Sequence, residues 1–222
     1  MKVRTLDQLL DRIASDRVWR IREIAALRAQ STSSSIPKDA VKAIRRSFVP
    51  IAYAHWEGFV KKSAHYYLEY VSMQGLNLNE LSGSFMSLYL WKKHANLLAR
   101  GKNFSLIGVC DALMGEGDGQ VYIQYDDAIP KIANVDSEIL RDICSTLGIS
   151  FADFEIKSAF INSGLVGRRN AIAHGEAQDI EAADLEKIKD EVVNLIDLFR
   201  SKIENAAVTQ SFKRQQVTLQ QA

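Results

Sequence analysis

Residues 51–71 read IAYAHWEGFVKKSAHYYLEYV, and this run decides the fold class. Its apolar and aromatic residues recur every three or four positions, which is the spacing of one helix face. We predict a central helix that begins after Pro37, runs to about residue 73 before Gly75, and is kinked or split at Pro50. Its apolar face comprises Tyr53, Trp56, Phe59, Val60, Tyr67 and Val71.

Similar helical patterns occur on both sides of this run. Working outward, they cover about 5–29, 79–98, 136–148, 150–164 and 182–207. Either Asp136 or Ser137 is expected to cap the third of these segments, and Ser150 the fourth. The fold class is therefore all-α: a bundle of four or five main helices, forming a single domain over residues 1–222.

Two segments depart from the helical pattern. Glycines interrupt residues 115–125, GEGDGQVYIQY, in which Val121, Ile123 and Tyr125 occupy alternate positions. Such alternation is typical of a strand, so we expect a loop or short hairpin insertion around 100–135. The tail from about 208 to 222 has no acidic residue and much glutamine, and we expect it to be flexible.

Composition limits the classes of function. The net charge is +1, so any nucleic-acid binding must come from a local patch. We find no run of about 18 uncharged apolar residues that could span a membrane, and Met1 leads into a charged, periodic segment rather than a signal peptide. Cys110 and Cys144 lack CxxC spacing and lie in apolar settings, as buried thiols of a reducing compartment do. We predict a cytoplasmic protein with no membrane partner.

A polar cluster interrupts the helical pattern at residues 167–176, GRRNAIAHGE. Asn170 and His174 are four apart and share a helix face, whereas Arg169 and His174 are separated by about 140° around a helix. A site built from Arg169 and His174 therefore needs a helix end at this point or contributions from two chains. Nearby glycines make a helix boundary reasonable, and Arg169, Asn170 and His174 could then point together toward a cleft.

These residue types suit cleavage of a phosphodiester in RNA. Histidine exchanges protons near neutral pH, and the planar fork of arginine binds phosphate and stabilises a more negative transition state. The 2′-hydroxyl of RNA is a nucleophile already in place, so this chemistry requires no metal. Taken alone, the residues favour a plainer interpretation, a surface arginine beside a partly buried structural histidine.

The order Arg-Asn-x-x-x-His, here Arg169, Asn170 and His174, resembles the Arg-x4–6-His signature of the HEPN superfamily. Upstream, the Trp56–Glu57 step and the Lys61–Lys62 pair also look like an early core helix of that superfamily. The resemblance covers about 39–207 and is closest to bacterial defence proteins, including the RiboL-PSP-HEPN branch.

The resemblance implies a metal-independent endoribonuclease without a cofactor, acting as a toxin or antiviral defence effector. Two protomers would form a homodimer around a cleft that holds RNA, and cleavage would leave a 2′,3′-cyclic phosphate. Arg169 of one chain could then complement His174 of the other, with Asn170 orienting a reacting group. A cognate antitoxin or a restriction-system protein is the partner that such a protein would have.

Several further residues are candidates for supporting roles. Glu57 could hold Arg169, accept a hydrogen bond from His174, or be an ordinary surface residue. Lys61 could touch phosphate or simply pair with Glu57, and Arg168 could replace Arg169. No cluster of His, Cys, Asp and Glu has metal-ligand spacing, so we predict no metal site. Residues 91–102 lack acids and form the best basic patch for RNA, although a solvated helix end is the plainer interpretation; its members are Lys92, Lys93, Arg100 and Lys102.

Two other functions remain open at this point. The chain could be a non-catalytic HEPN-like module for binding or assembly in a restriction or toxin–antitoxin system. It could also be a nucleotide-binding accessory domain for a transferase.

Overall fold

The structure is a computed structural model that describes residues 2–98, 107, 110, 119–130 and 134–215. The described residues form helices and two isolated β-bridges but no strand, which confirms the all-α fold class. In chain order the helices are α1 (Leu6–Gln30), α2 (Lys38–Ser72), a 3-10 helix (Leu78–Glu80), α3 (Gly83–Leu98), α4 (Ser137–Leu147), α5 (Ala152–Glu155), a π-helix (Phe160–Gly167), α6 (Arg168–Ala173) and α7 (Ala182–Val208).

Helix α2 is the centre of the bundle. Helices α1 and α7 pack on it and on each other, the π-helix and α6 also pack on it, and α3 packs on α4. Trp56 is fully buried, its ring lies edge-on to Phe199 with centroids 6.4 Å apart, and its Nε1 donates to the carbonyl of Val135. The aromatic face of residues 51–71 therefore forms the core, as the sequence predicts.

Pro50 does not split α2. Proline has no N–H, so it cannot bond to the carbonyl of Arg46, yet the helix continues from Lys38 to Ser72. Phe48, Val49 and Ala52 are buried beside the proline. This packing on either side of the missing hydrogen bond keeps the helix in one piece.

A partly buried ionic cluster joins α1 to α2, with Asp16 and Arg20 buried and Lys62 exposed. Asp16 accepts from Arg20 at 2.8 Å and from Lys62 at 2.9 Å, and Arg20 also donates to the carbonyl of His55. Burial alone would raise the pKa of Asp16, but these two cations hold it below its ordinary value. Gly58 makes room for the cluster, because a Cβ there would lie 2.7 Å from the Arg20 guanidinium.

The alternating residues before α4 form an extended segment rather than a hairpin within the described range 119–130. The alternate residues Val121, Ile123 and Tyr125 are buried. Val121 donates to the carbonyl of Leu76, and Ser72 donates to the carbonyl of Ile123. The alternating pattern thus comes from packing against the end of α2. Of the two predicted structures, a loop and a short hairpin, residues 119–130 form the loop.

The chain after α7 is packed as far as the structure describes it, so the prediction of a flexible tail from about 208 is wrong for residues 209–215. Phe212 is fully buried among Tyr67, Tyr70 and Phe85. Its carbonyl accepts from the N–H of Ser82 at 2.8 Å. One buried aromatic ring therefore fixes a segment whose polar composition predicts flexibility. Residues 216–222 of the predicted tail lie outside the described residues.

Two other local predictions change. Cys144 is buried as expected, but Cys110 is exposed. The single helix predicted over 150–164 is instead α5 followed by the π-helix, and its N-cap is Phe151 rather than Ser150. By contrast α4 is capped as predicted, since the Asp136 carboxylate accepts from the N–H of Ile139.

Within the described ranges, no helix has both the length and the apolar character that crossing a membrane requires.

Candidate functional site

The cluster GRRNAIAHGE is the end of a helical element. The π-helix passes directly into α6, and a Cβ at Gly164 would lie 2.8 Å from the ring of Phe160, so glycine allows the wide turn. After α6, Gly175 has φ +83° and Glu176 donates its N–H to the carbonyl of Ala171. These are the features of a Schellman C-cap, in which His174 is the capping residue.

The side chain of Arg169 is held on two sides. Its Nη2 donates to Oδ1 of Asn134, and the guanidinium carbon lies 4.3 Å from the centroid of the Tyr53 ring. Such cation–π contacts contribute about 0.5–2 kcal/mol. The Nε atom of Arg169 is buried and has no hydrogen-bond partner among the described residues. The guanidinium is thus fixed in place while part of its donor capacity stays unused.

Tyr53 links this arginine to the segment before α4. Its hydroxyl accepts from the N–H of Val135 at 3.0 Å. Burial, reinforced by a hydrogen bond to Glu57, raises the pKa of Tyr53 to about 12, while Arg169 acts in the opposite direction. The phenol therefore stays neutral near pH 7 and can donate to Glu57.

An open groove of about 410 Å³ lies beside Arg169, and we call it the Arg169 groove. Glu57 and Lys61 stand on its α2 side and form an ion pair at 2.6 Å. The pairing predicted for Lys61 is therefore confirmed, and the Glu57 carboxylate is shared between Lys61 and the Tyr53 phenol. The full lining is Pro50, Tyr53, Ala54, Glu57, Gly58, Lys61 and Arg169.

The other motif residues stand apart from this groove. His174 is exposed, Asn170 is half-buried, and neither lines the Arg169 groove. Arg168 lies 3.8 Å from Asp184 at the start of α7. Within one chain the structure therefore brings Arg169, Glu57 and Lys61 together but not His174, as the angular offset of about 140° between Arg169 and His174 requires.

The predicted basic patch is remote from Arg169. Lys92 lines a separate groove with Trp91 and Thr146, near the C-terminal end of α4. Asn134, the partner of Arg169, precedes the opposite end of α4, and an 11-residue helix is roughly 16 Å long. Lys93 is exposed on α3, whereas Arg100 and Lys102 lie outside the described residues.

Sequence reasoning missed three residues of this region. Tyr53 precedes Glu57 by one helical turn, so the shared face on α2 was a usable signal for it. Arg46, whose Nη2 donates to the carbonyl of Glu176 at 2.6 Å, lies on α2 but is 130 residues away in sequence. Asn134 follows the irregular segment, and nothing in its neighbourhood indicated a contact with Arg169.

Among the residues that the structure describes, no three His, Cys, Asp or Glu side chains are grouped as a metal site would require.

A family model described as HEPN_MAE_28990-like HEPN matches residues 9–212. The chain belongs to this HEPN family. Its HEPN domain associates it with nuclease or other RNA-related roles, because the superfamily includes ribonucleases. Searches of curated proteins and of solved structures gave no match for this chain.

Proposed function

We propose that this HEPN protein is a metal-independent endoribonuclease that uses Arg169, Asn170 and His174. The observation that carries the proposal is the motif at the end of α6 in a HEPN fold: His174 is exposed at a helix cap, and the Arg169 guanidinium is held in one direction beside an open groove. Arg169 binds the scissile phosphate, and Asn170 orients a reacting group.

The reaction is a transesterification within the RNA strand. The 2′-oxygen forms a bond to phosphorus as the bond from phosphorus to the 5′-oxygen breaks. The proton of the 2′-hydroxyl goes to a base, and the departing 5′-oxygen receives a proton from an acid. His174 serves in one of these proton transfers, and the products are a 2′,3′-cyclic phosphate and a 5′-hydroxyl.

A second copy of the chain completes the site in this proposal. Arg169 faces α2 and Asn134, while His174 is exposed on the other side of the helix end. A homodimer that places the two motifs face to face would bring Arg169 of one protomer to His174 of its partner. Its RNA substrate would lie in the shared cleft, and toxin or antiviral action would be restrained by a cognate antitoxin or a restriction-system protein.

One observation favours a non-catalytic binding or assembly module as the second candidate. The Arg169 guanidinium already has structural partners in Asn134 and the Tyr53 ring. If this contact is the main purpose of Arg169, the chain would use the HEPN fold for assembly alone.

The deciding experiment is cleavage of RNA by the purified chain in the presence of EDTA. We expect cutting that yields a 2′,3′-cyclic phosphate, and a loss of about 100-fold or more in His174→Ala, which is the usual size of an acid–base contribution. His65→Ala is the matched control, because the ring of His65 lies edge-on to Tyr125 and outside the motif. Circular dichroism should show that each variant is folded. Undiminished cutting by His174→Ala would rule out the mechanism through this motif, whereas no cutting by the wild type would favour the assembly module.

A further inference from the structure

A second groove lies on the other side of the His174 turn. It has a volume of about 420 Å³, and we call it the Lys42 groove. The first turns of α2 form one wall, and the segment between His174 and α7 forms the other. Its lining is Lys42, Ala43, Arg46, Ala177, Gln178, Asp179 and Ile180.

The two grooves follow one another along α2, with His174 between them. Arg169 lies over the ring of Tyr53, and Arg46 donates to the carbonyl of Glu176. The chain from residue 169 to 176 therefore runs along α2 from the level of Tyr53 to that of Arg46. These levels are seven residues apart, roughly 10 Å along a helix. A strand lying across His174 would therefore reach the Lys42 groove of the same chain.

The charge of the Lys42 groove suits an anion. Lys42 is exposed and stands one helical turn from Arg46 on the same face of α2. The guanidinium of Arg46 lines the same groove, and its Nη2 donates to the carbonyl of Glu176. Arg45 is directed elsewhere, since it contacts the carbonyl of Ser31 and the carboxylate of Glu181. The lining also contains one acidic residue, Asp179, whose negative charge partly offsets the positive charges of Lys42 and Arg46.

We propose that the Lys42 groove binds a backbone phosphate of the RNA strand beside the one that is cut. This inference rests on the proposed function. The ammonium group of Lys42 supplies a mobile point charge, and Arg46 both attracts phosphate and holds the turn that carries His174. Asp179 limits the strength of binding, so that a product strand can leave.

The test is binding of a labelled single-stranded oligoribonucleotide to the full chain carrying His174→Ala, so that no cutting interferes. Lys42→Gln should weaken binding about fivefold at low salt, and the slope of log affinity against log salt should fall by about 0.7, the value for one lost phosphate contact. Lys2→Gln is the matched control. Lys2 is an exposed residue before α1, its ammonium group lies over the Tyr122 ring, and its neighbour Val3 bonds to Glu69 near the C-terminal end of α2, far from Lys42. It should change neither quantity.

Asp179→Asn should affect RNA binding in the direction opposite to Lys42→Gln. Removal of this carboxylate should tighten binding of the same oligoribonucleotide, whereas a groove that RNA does not enter would give no effect. If the otherwise wild-type chain cuts RNA but Lys42→Gln and Asp179→Asn bind like the control, the groove proposal is wrong and the ribonuclease proposal stands. If RNA is neither bound nor cut, both fail.

Discussion

Asn134 fixes the direction of Arg169, the residue on which phosphate binding depends in our proposal. A hydrogen bond to a charged group is worth about 1.5–3 kcal/mol, and here it is combined with the face of Tyr53. Asn134→Ala should therefore release the guanidinium and lower kcat/KM for RNA cleavage roughly tenfold. Asn205→Ala, at an exposed position of α7, is the matched control.

Asn134→Asp separates a positioning role from a purely structural one. The carboxylate keeps an acceptor for Arg169 but partly neutralises the guanidinium, so we expect KM for RNA to rise while the unfolding temperature is maintained. Equal kinetics for Asn134→Asp and wild type, together with lost stability in Asn134→Ala, would show that the contact serves only the fold.

For single residues, the sequence predicted the relative directions of Arg169 and His174 better than their contacts. The offset between Arg169 and His174 follows from helix geometry and agrees with the different surroundings of their side chains. The sequence favours Arg169 over Arg168 because Asn170 follows it directly, and in the structure Arg169 lines the groove while Arg168 lies near Asp184. Asn134 could not be foreseen, since a contact over 35 residues leaves no periodic trace.

Among the elements, the end of α6 determines where His174 stands. Gly175 has φ +83°, and a Cβ there would meet nothing within 4 Å. Gly175→Ala therefore introduces backbone strain without a clash, and should lower the free energy of unfolding by about 1–2 kcal/mol and reduce RNA cleavage. Denaturant unfolding and the cleavage assay measure the two effects.

Two further variants test whether backbone strain at Gly175 is the cause of these effects. Gly83→Ala is the matched control, because the space around Gly83 is equally open and its backbone is helical, so it should be neutral or slightly stabilising. Gly175→Asn should recover part of the lost stability, since asparagine tolerates the left-handed region. A Gly175→Ala protein as stable and active as wild type would mean that the turn relaxes at no cost.

Elements with one continuous apolar face were predictable, and those shaped by a local exception were not. Helices α1, α4 and α7 lie within two residues of their expected bounds. The turn of the π-helix is wider than the 3.6-residue period of an α-helix, and the apolar pattern of residues 150–164 does not distinguish the two, so it predicts one ordinary helix. The burial of Phe212 was also unpredictable from periodicity, because one apolar residue in a polar segment gives no repeating pattern.

At the scale of the whole molecule, the question is whether Arg169 and His174 of one ribonuclease site come from the same chain or from two chains. In a two-fold symmetric dimer that shares residues across the interface, each site would take Arg169 from one protomer and His174 from its partner. Mixing Arg169→Gln chains with His174→Ala chains would then form heterodimers in which one site has both residues and the other has neither. If the motif instead works within one chain, every site of the mixture lacks a residue.

We therefore expect the mixture to recover roughly a quarter of wild-type cleavage, since random pairing makes half of the dimers mixed and each mixed dimer has one intact site. Each variant alone, at the same total concentration, is the control and should be inactive. Light scattering should confirm dimers and unfolding curves should confirm folded chains, because Arg169 also braces Tyr53 and Asn134. Failure to recover activity in demonstrably mixed dimers would assign the whole site to one chain and require α6 to move so that His174 approaches Arg169.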